Sequence, residues 1–164
     1  MGETRDALQQ AYAGEAKAAL RLKVYGEKAE EEGYPQIAKL FRVIAYSEEI
    51  HGARALKVLK EIKTTEENLA ESFESERRVA EVAYGEFVKQ AEAEGNRAAV
   101  LHFSQSKDVE ETHAKLYKEA MGHILEERET TYYVCRVCGY IADGILPEMC
   151  PVCGAKRDQF KPFS

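Results

Sequence analysis

Two short stretches, Glu48-Glu49-Ile50-His51 and Glu110-Glu111-Thr112-His113, each set a carboxylate and an imidazole three residues apart inside a long helical pattern. Residues at i and i+3 share a helix face, and in both copies that face is the apolar one. Ile37, Leu40, Phe41 and Ile44 mark the stripe before Glu48, and Ala55, Leu59 and Ile62 resume it after His51. The second copy runs Phe103, Ser106, Glu110, His113, Tyr117, Ala120 and Ile124. An ionised carboxylate at a core position costs several kcal/mol unless something compensates it. Two such breaks in patterning, with the same internal spacing, ask for a common cause. A shared metal centre is the simplest.

The surrounding periodicity predicts four long helices, over residues 3–32, 35–62, 66–94 and 97–128. Gly33 closes the first and Pro35 suits the first turn of the second, Thr64 or Thr65 can cap the third ahead of Glu66 and Glu67, and Gly95-Asn96 separates the last two. Helices of this length with short connections make a four-helix bundle. The four also form a repeat. Glu15 precedes Glu48 by 33 residues and Glu76 precedes Glu110 by 34, so each half is a helical hairpin carrying one Glu and one Glu-x-x-His. Together the halves supply four carboxylates and two imidazoles, the set with which a bundle holds two divalent metals.

After Arg128 the composition turns β-branched and aromatic, through Thr130-Thr131-Tyr132-Tyr133-Val134, and all four cysteines follow as Cys135-x-x-Cys138 and Cys150-x-x-Cys153. Two domains are expected, residues 1–129 and residues 130–164. The second is too short to be held by its own core, so a metal must supply much of its folding free energy. Two Cys-x-x-Cys pairs indicate a tetrahedral four-thiolate site, and a structural zinc ribbon is the commonest use of that pattern. Two features favour iron instead: only eleven residues separate Cys138 from Cys150, and Gly139 and Gly154 follow the two pairs. Glycine there lets backbone amides turn toward sulfur, which tunes a redox iron. Zinc stays open as the alternative on spacing alone.

Composition narrows the function. A net charge of −6 with no basic stripe disfavours nucleic acid, and no run is apolar enough to span a membrane. The polar opening Met1-Gly2-Glu3-Thr4-Arg5-Asp6 is no signal peptide, so a soluble cytoplasmic protein is expected. Without a secretory signal, cysteine pairs point to metal rather than disulfides. No glycine-rich nucleotide motif is present, so any reducing power from NADH or NADPH would arrive through a separate protein.

Glu15, Glu48-x-x-His51, Glu76, Glu110-x-x-His113 and the pair Cys-x-x-Cys-Gly-Tyr and Cys-Pro-x-Cys-Gly together resemble the rubrerythrin family over essentially the whole chain. The resemblance implies a ferritin-like diiron bundle followed by a rubredoxin-like iron domain, and a non-haem diiron peroxidase that reduces hydrogen peroxide to water. It implies that Glu15 and His51 hold one iron, Glu76 and His113 the other, with Glu48 and Glu110 bridging, while Cys135, Cys138, Cys150 and Cys153 hold a third iron that relays electrons. It also implies that Tyr84 hydrogen-bonds a ligand carboxylate; its plain alternative is a core aromatic. The chain departs from the family pattern twice. Val79 stands where rubrerythrins usually carry an extra glutamate that exchanges with the second-helix histidine, and Leu22 stands in place of a tyrosine. A dioxygen-using ferroxidase and a non-catalytic zinc protein are therefore the alternatives.

Connection length bears on assembly. A bundle with two-fold related hairpins needs a long return between the second and third helices, about 13 extended residues for a helix of roughly 45 Å. Three separate Ile62 from Glu66. The expectation is a domain-swapped homodimer, with the first two helices of one chain completed by the last two of another. A monomeric up-down-up-down bundle is the alternative.

Overall fold

The computed structural model describes residues 2–124 and 129–164. The chain forms two compact units, Met1–Lys63 and Thr64–Ser164.

The first unit is a hairpin of α1 (Glu3–Glu31) and α2 (Pro35–Leu59). Gly33 takes φ +80°, a left-handed conformation that only glycine adopts without strain, and Pro35 occupies the first turn of α2. The buried residues are small: Ala19, Gly26 and Ala29 on α1, and Ala38, Ala45, Gly52 and Ala55 on α2, with Leu59 beyond them. A β-carbon at Gly26 would sit 3.4 Å from the Ala38 carbonyl oxygen, so the two backbones approach closely. The larger stripe expected in the core is not what the hairpin buries. Ile37, Leu40 and Ile44 are all exposed in the chain, and Leu40 keeps 52% of its surface. Alanine and glycine let the helices meet on one side of α2 and leave the bulky aliphatics on another.

α2 ends at Leu59, three residues short of the expected Ile62. Lys60 adopts a left-handed φ of 58° and its N–H, with that of Glu61, turns back to Leu56 and Lys57 carbonyls. This closes the helix as a glycine would.

The second unit opens with the Thr64 cap. The Glu67 N–H donates to Thr64 Oγ1 at 3.2 Å, while the Glu67 carboxylate accepts from the Thr64 N–H at 3.0 Å. The third helix, expected as one α-helix over 66–94, is instead α3 (Thr65–Arg78), a π-helical segment (Val79–Ala83) and α4 (Tyr84–Ala93). The Tyr84 N–H donates to the Val79 carbonyl, five residues back. α5 (Arg97–Gly122) is capped by Asn96, whose side chain accepts from the Ala99 N–H at 3.1 Å. It stops before the expected residue 128; residues 125–128 lie outside the described part. The strands β1 (Tyr132–Cys135), β2 (Ile141–Asp143) and β3 (Phe160–Phe163) form an antiparallel sheet in the order β2-β1-β3. Its small core is Cys135, Cys150 and Phe160. Thus the fold is mainly helical with a small C-terminal sheet. No described helix is long and apolar enough to cross a membrane.

Candidate metal centres

Each hairpin gathers the three donors that the repeat assigned to it. On the first, the donor atoms of Glu15 from α1 and of Glu48 and His51 from α2 lie within 4.8 Å of one another. His51 Nδ1 is 3.0 Å from Glu48 Oε2 and 3.9 Å from Glu15 Oε1. Helical i, i+3 spacing makes the Glu48–His51 pair, and the small residues beside them let Glu15 approach: a β-carbon at Gly52 would already touch the Glu15 Cβ at 3.8 Å. The Glu15 carboxyl is held above its usual range by its hydrogen bond with Glu48, then by burial and the Glu48 charge, against the pull of His51.

On the second hairpin, Glu76 from α3 meets Glu110 and His113 from α5, again within 4.8 Å. His113 Nδ1 lies 2.8 Å from Glu110 Oε2. Burial pushes the Glu76 carboxyl up to about 7, reinforced by the hydrogen bond with Glu110 and by its charge, and opposed by His113. The other imidazole nitrogen, His113 Nε2, is buried with no hydrogen-bond partner among the described residues.

These features fit a divalent cation. Two carboxylates this close repel one another when both are ionised, and a cation between them removes that repulsion. Carboxylate oxygens with an imidazole nitrogen form a donor set suited to iron, manganese or zinc. The buried His113 Nε2 also lacks a partner among the described residues, and an unsatisfied buried nitrogen costs about 1–3 kcal/mol.

In the module, Cys135 Sγ lies 3.7 Å from Cys153 Sγ, and Cys138 Sγ lies 3.6 Å from Cys150 Sγ. A tetrahedron with metal–sulfur bonds of about 2.3 Å has edges of about 3.8 Å, whereas a disulfide would bring sulfur atoms to about 2.05 Å. The sulfurs are thus spaced for one shared ion. Gly139 and Gly154 both have positive φ, +84° and +73°. The turns they permit aim backbone N–H groups at sulfur: those of Val137 and Cys138 at Cys135, of Tyr140 at Cys138 and of Ala155 at Cys153. Burial opposes ionisation of Cys135, yet these amides carry its thiol below the usual range. For Cys138 burial wins and the thiol is pushed up.

Tyr84 lies among aromatics, with ring centroids 5.9 Å from Phe87 and 6.2 Å from Phe103. Among the described residues its hydroxyl makes no hydrogen bond to Glu76 or Glu110. The π segment that precedes it went unforeseen, because Val79-Ala80-Glu81-Val82-Ala83 carries no sequence mark of an extra residue per turn. His102, given no role by the sequence, packs its ring against Phe103.

The rubrerythrin family model matches residues 6–121, and the model for the rubredoxin-like domain of rubrerythrin matches residues 133–161. Rubrerythrin-2 of Clostridium acetobutylicum is 33% identical, covering 98% of this chain and 96% of that protein. Nigerythrin of Nitratidesulfovibrio vulgaris is 30% identical, covering 99% and 88%. Among solved structures, the fully reduced, all-ferrous state of nigerythrin is similar with a TM-score of 0.61 at 30% identity, over 99% of this chain and 88% of that one. The chain belongs to the rubrerythrin family, and its Glu/His groups and its four clustered cysteines are the donor sets of that family's diiron and rubredoxin-like iron sites.

Proposed function

We propose that the protein is a rubrerythrin-type non-haem diiron peroxidase that reduces hydrogen peroxide to water, built of a 1–129 diiron domain and a 130–164 electron-entry domain. One observation carries the reading: the same Glu, Glu and His triad recurs on two hairpins of a chain that also gathers four sulfurs. In this assignment Glu15 and His51 hold one metal, Glu76 and His113 the other, and Glu48 and Glu110 bridge. Cys135, Cys138, Cys150 and Cys153 hold the mononuclear ion. Iron bound at these groups supplies the redox chemistry, two electrons per peroxide in the bundle and one at a time at the four thiolates. Reduction of hydrogen peroxide to two waters consumes two electrons and two protons; the Glu76 carboxyl, raised to about 7 in the metal-free chain, would give up its proton when an ion binds. Tyr84 takes its plainer role, an aromatic packed with Phe87 and Phe103.

The homodimer belongs to the same proposal. Each hairpin brings three donors of the six, and the exposed Ile37, Leu40 and Ile44 form an apolar face that water penalises. Five residues, Lys60 to Thr64, join α2 to α3. Fully extended they reach at most about 18 Å, less than half of a 25-residue helix of about 38 Å. A second chain completing each bundle satisfies the donors, the apolar face and the short connection together. The electrons come from a separate reductase or a small rubredoxin.

Val79 favours a second reading. It supplies no carboxylate where the family's exchanging glutamate sits, which leaves a symmetric ligand set suited to a ferroxidase using dioxygen. On either reading His51 stays bound in both oxidation states; iron shifting between two positions beside His51 in oxidised and reduced crystals would contradict this. The deciding experiment is anaerobic reduction followed by stoichiometric peroxide or dioxygen. Faster reoxidation of the bundle iron by peroxide is expected. Oxygen matching or outpacing peroxide replaces the proposal with the ferroxidase, and a colourless protein containing only zinc removes both.

A further inference from the structure

The two hairpins repeat more than their donors. Tyr12 stands three residues before Glu15 and Phe73 three before Glu76, while the residue after each histidine is small, Gly52 after His51 and Ala114 after His113. None of these four residues is a donor, and Gly52 and Ala114 are both buried. In the first hairpin the contact is explicit. A β-carbon built at Gly52 would lie 3.8 Å from Tyr12 Cδ2 and 3.8 Å from the Glu15 Cβ. Position 52 therefore admits a β-carbon, but atoms beyond it would run into the half-buried Tyr12 ring or into Glu15. Ala114, which has a β-carbon and nothing longer, keeps to the same limit in the second hairpin.

We propose that Tyr12 is a positioning residue for the first metal: its ring, wedged against the α2 backbone at Gly52, fixes how far Glu15 stands from His51. This rests on Glu15 and His51 being ligands of one ion, and it deepens that reading. Tyr12 and Glu15 share a face of α1, one turn apart, and both rest on the residue that follows His51. The residues α1 buries fully are Ala19, Gly26 and Ala29, too small to hold the helices apart. Beside Glu15 that task falls to the Tyr12 ring, at the level where the Glu15 carboxylate comes to 3.9 Å from the His51 imidazole. Phe73 holds the same place before Glu76, so the ring rather than the hydroxyl is the element the two hairpins share. A ligand held to a fixed place by its surroundings loses metal affinity when that support is removed.

The test uses full-length protein given one equivalent of zinc, which the four thiolates take, and then titrated with manganese(II) while electron paramagnetic resonance is recorded. The unsubstituted protein is expected to take up two manganese ions per bundle, with the spectrum of a spin-coupled pair. Tyr12→Ala and Gly52→Leu are each expected to weaken one of the two ions about tenfold. At concentrations that fill the pair in the unsubstituted protein, both variants should then show the spectrum of an isolated ion. Tyr12→Phe, which keeps the ring, should retain the coupled spectrum. The double variant Tyr12→Ala with Gly52→Leu, which moves the bulk from one helix to the other, should recover it. Should Gly52→Leu fail to fold, Tyr12→Ala against Tyr12→Phe decides. If Tyr12→Ala retains the coupled pair, or Tyr12→Phe loses it, the inference is overturned while the ligand assignment stands. An unsubstituted protein that takes up no manganese overturns the ligand assignment, and the inference with it.

Discussion

Burial and the Glu110 carboxyl together raise Glu76 to about 7, so at neutral pH this one side chain links folding, proton content and metal uptake. A carboxyl whose folded value lies above its unfolded one destabilises the fold fully above the higher value, and the penalty fades as pH falls toward about 4.5. In chelator, the protein should therefore melt higher at pH 6 than at pH 8, by about 2–4 °C for about 1 kcal/mol once solvent screening is discounted. Glu76→Gln should flatten that dependence, as thermal melts across pH would check. A divalent ion should reverse it, because both carboxylates must then be ionised, and titration calorimetry in buffers of different ionisation enthalpy should record proton release below pH 7. The ligand residues were legible because i, i+3 spacing on a helix dictates a shared face whatever the tertiary context. The surroundings of Tyr84 were not, since they depend on where the π segment turns it.

The Thr64 capping box and the Asn96 cap secure the starts of α3 and α5. Thr64→Ala should cost about 1 kcal/mol in urea unfolding. The π segment makes a sharper prediction. Deleting Val82, which is exposed, would restore α-helical pairing and rotate α4 by about 100° relative to α3. Either Glu76 or the Tyr84–Phe87–Phe103 cluster must then lose its place, so bundle metal stoichiometry or the melting temperature should fall, while the four-thiolate ion stays bound. Metal analysis beside a circular-dichroism melt reads both. Helix starts were readable from Thr64, Asn96 and Pro35 because caps act locally. The face joining α1 to α2 was not, because Ala38, Ala45 and Gly52 carry too little hydropathy to outweigh Ile37, Leu40 and Ile44 in any periodicity count. Yet contact area follows how closely the backbones approach.

On the proposed dimer, the exposed aliphatics of α2 are the place to interrupt assembly. Leu40→Asp with Ile44→Asp should give a monomer by sedimentation that has lost bundle metal but keeps its four-thiolate ion, since Cys135, Cys138, Cys150 and Cys153 all come from one module. The five-residue connection after Leu59 carries a further consequence. If that strap is too short for a chain to close upon itself, ion capture and dimerisation become a single second-order equilibrium. Diluting the protein would strip its paired ions even in buffer that holds them at higher concentration, whereas the thiolate ion would remain at every dilution.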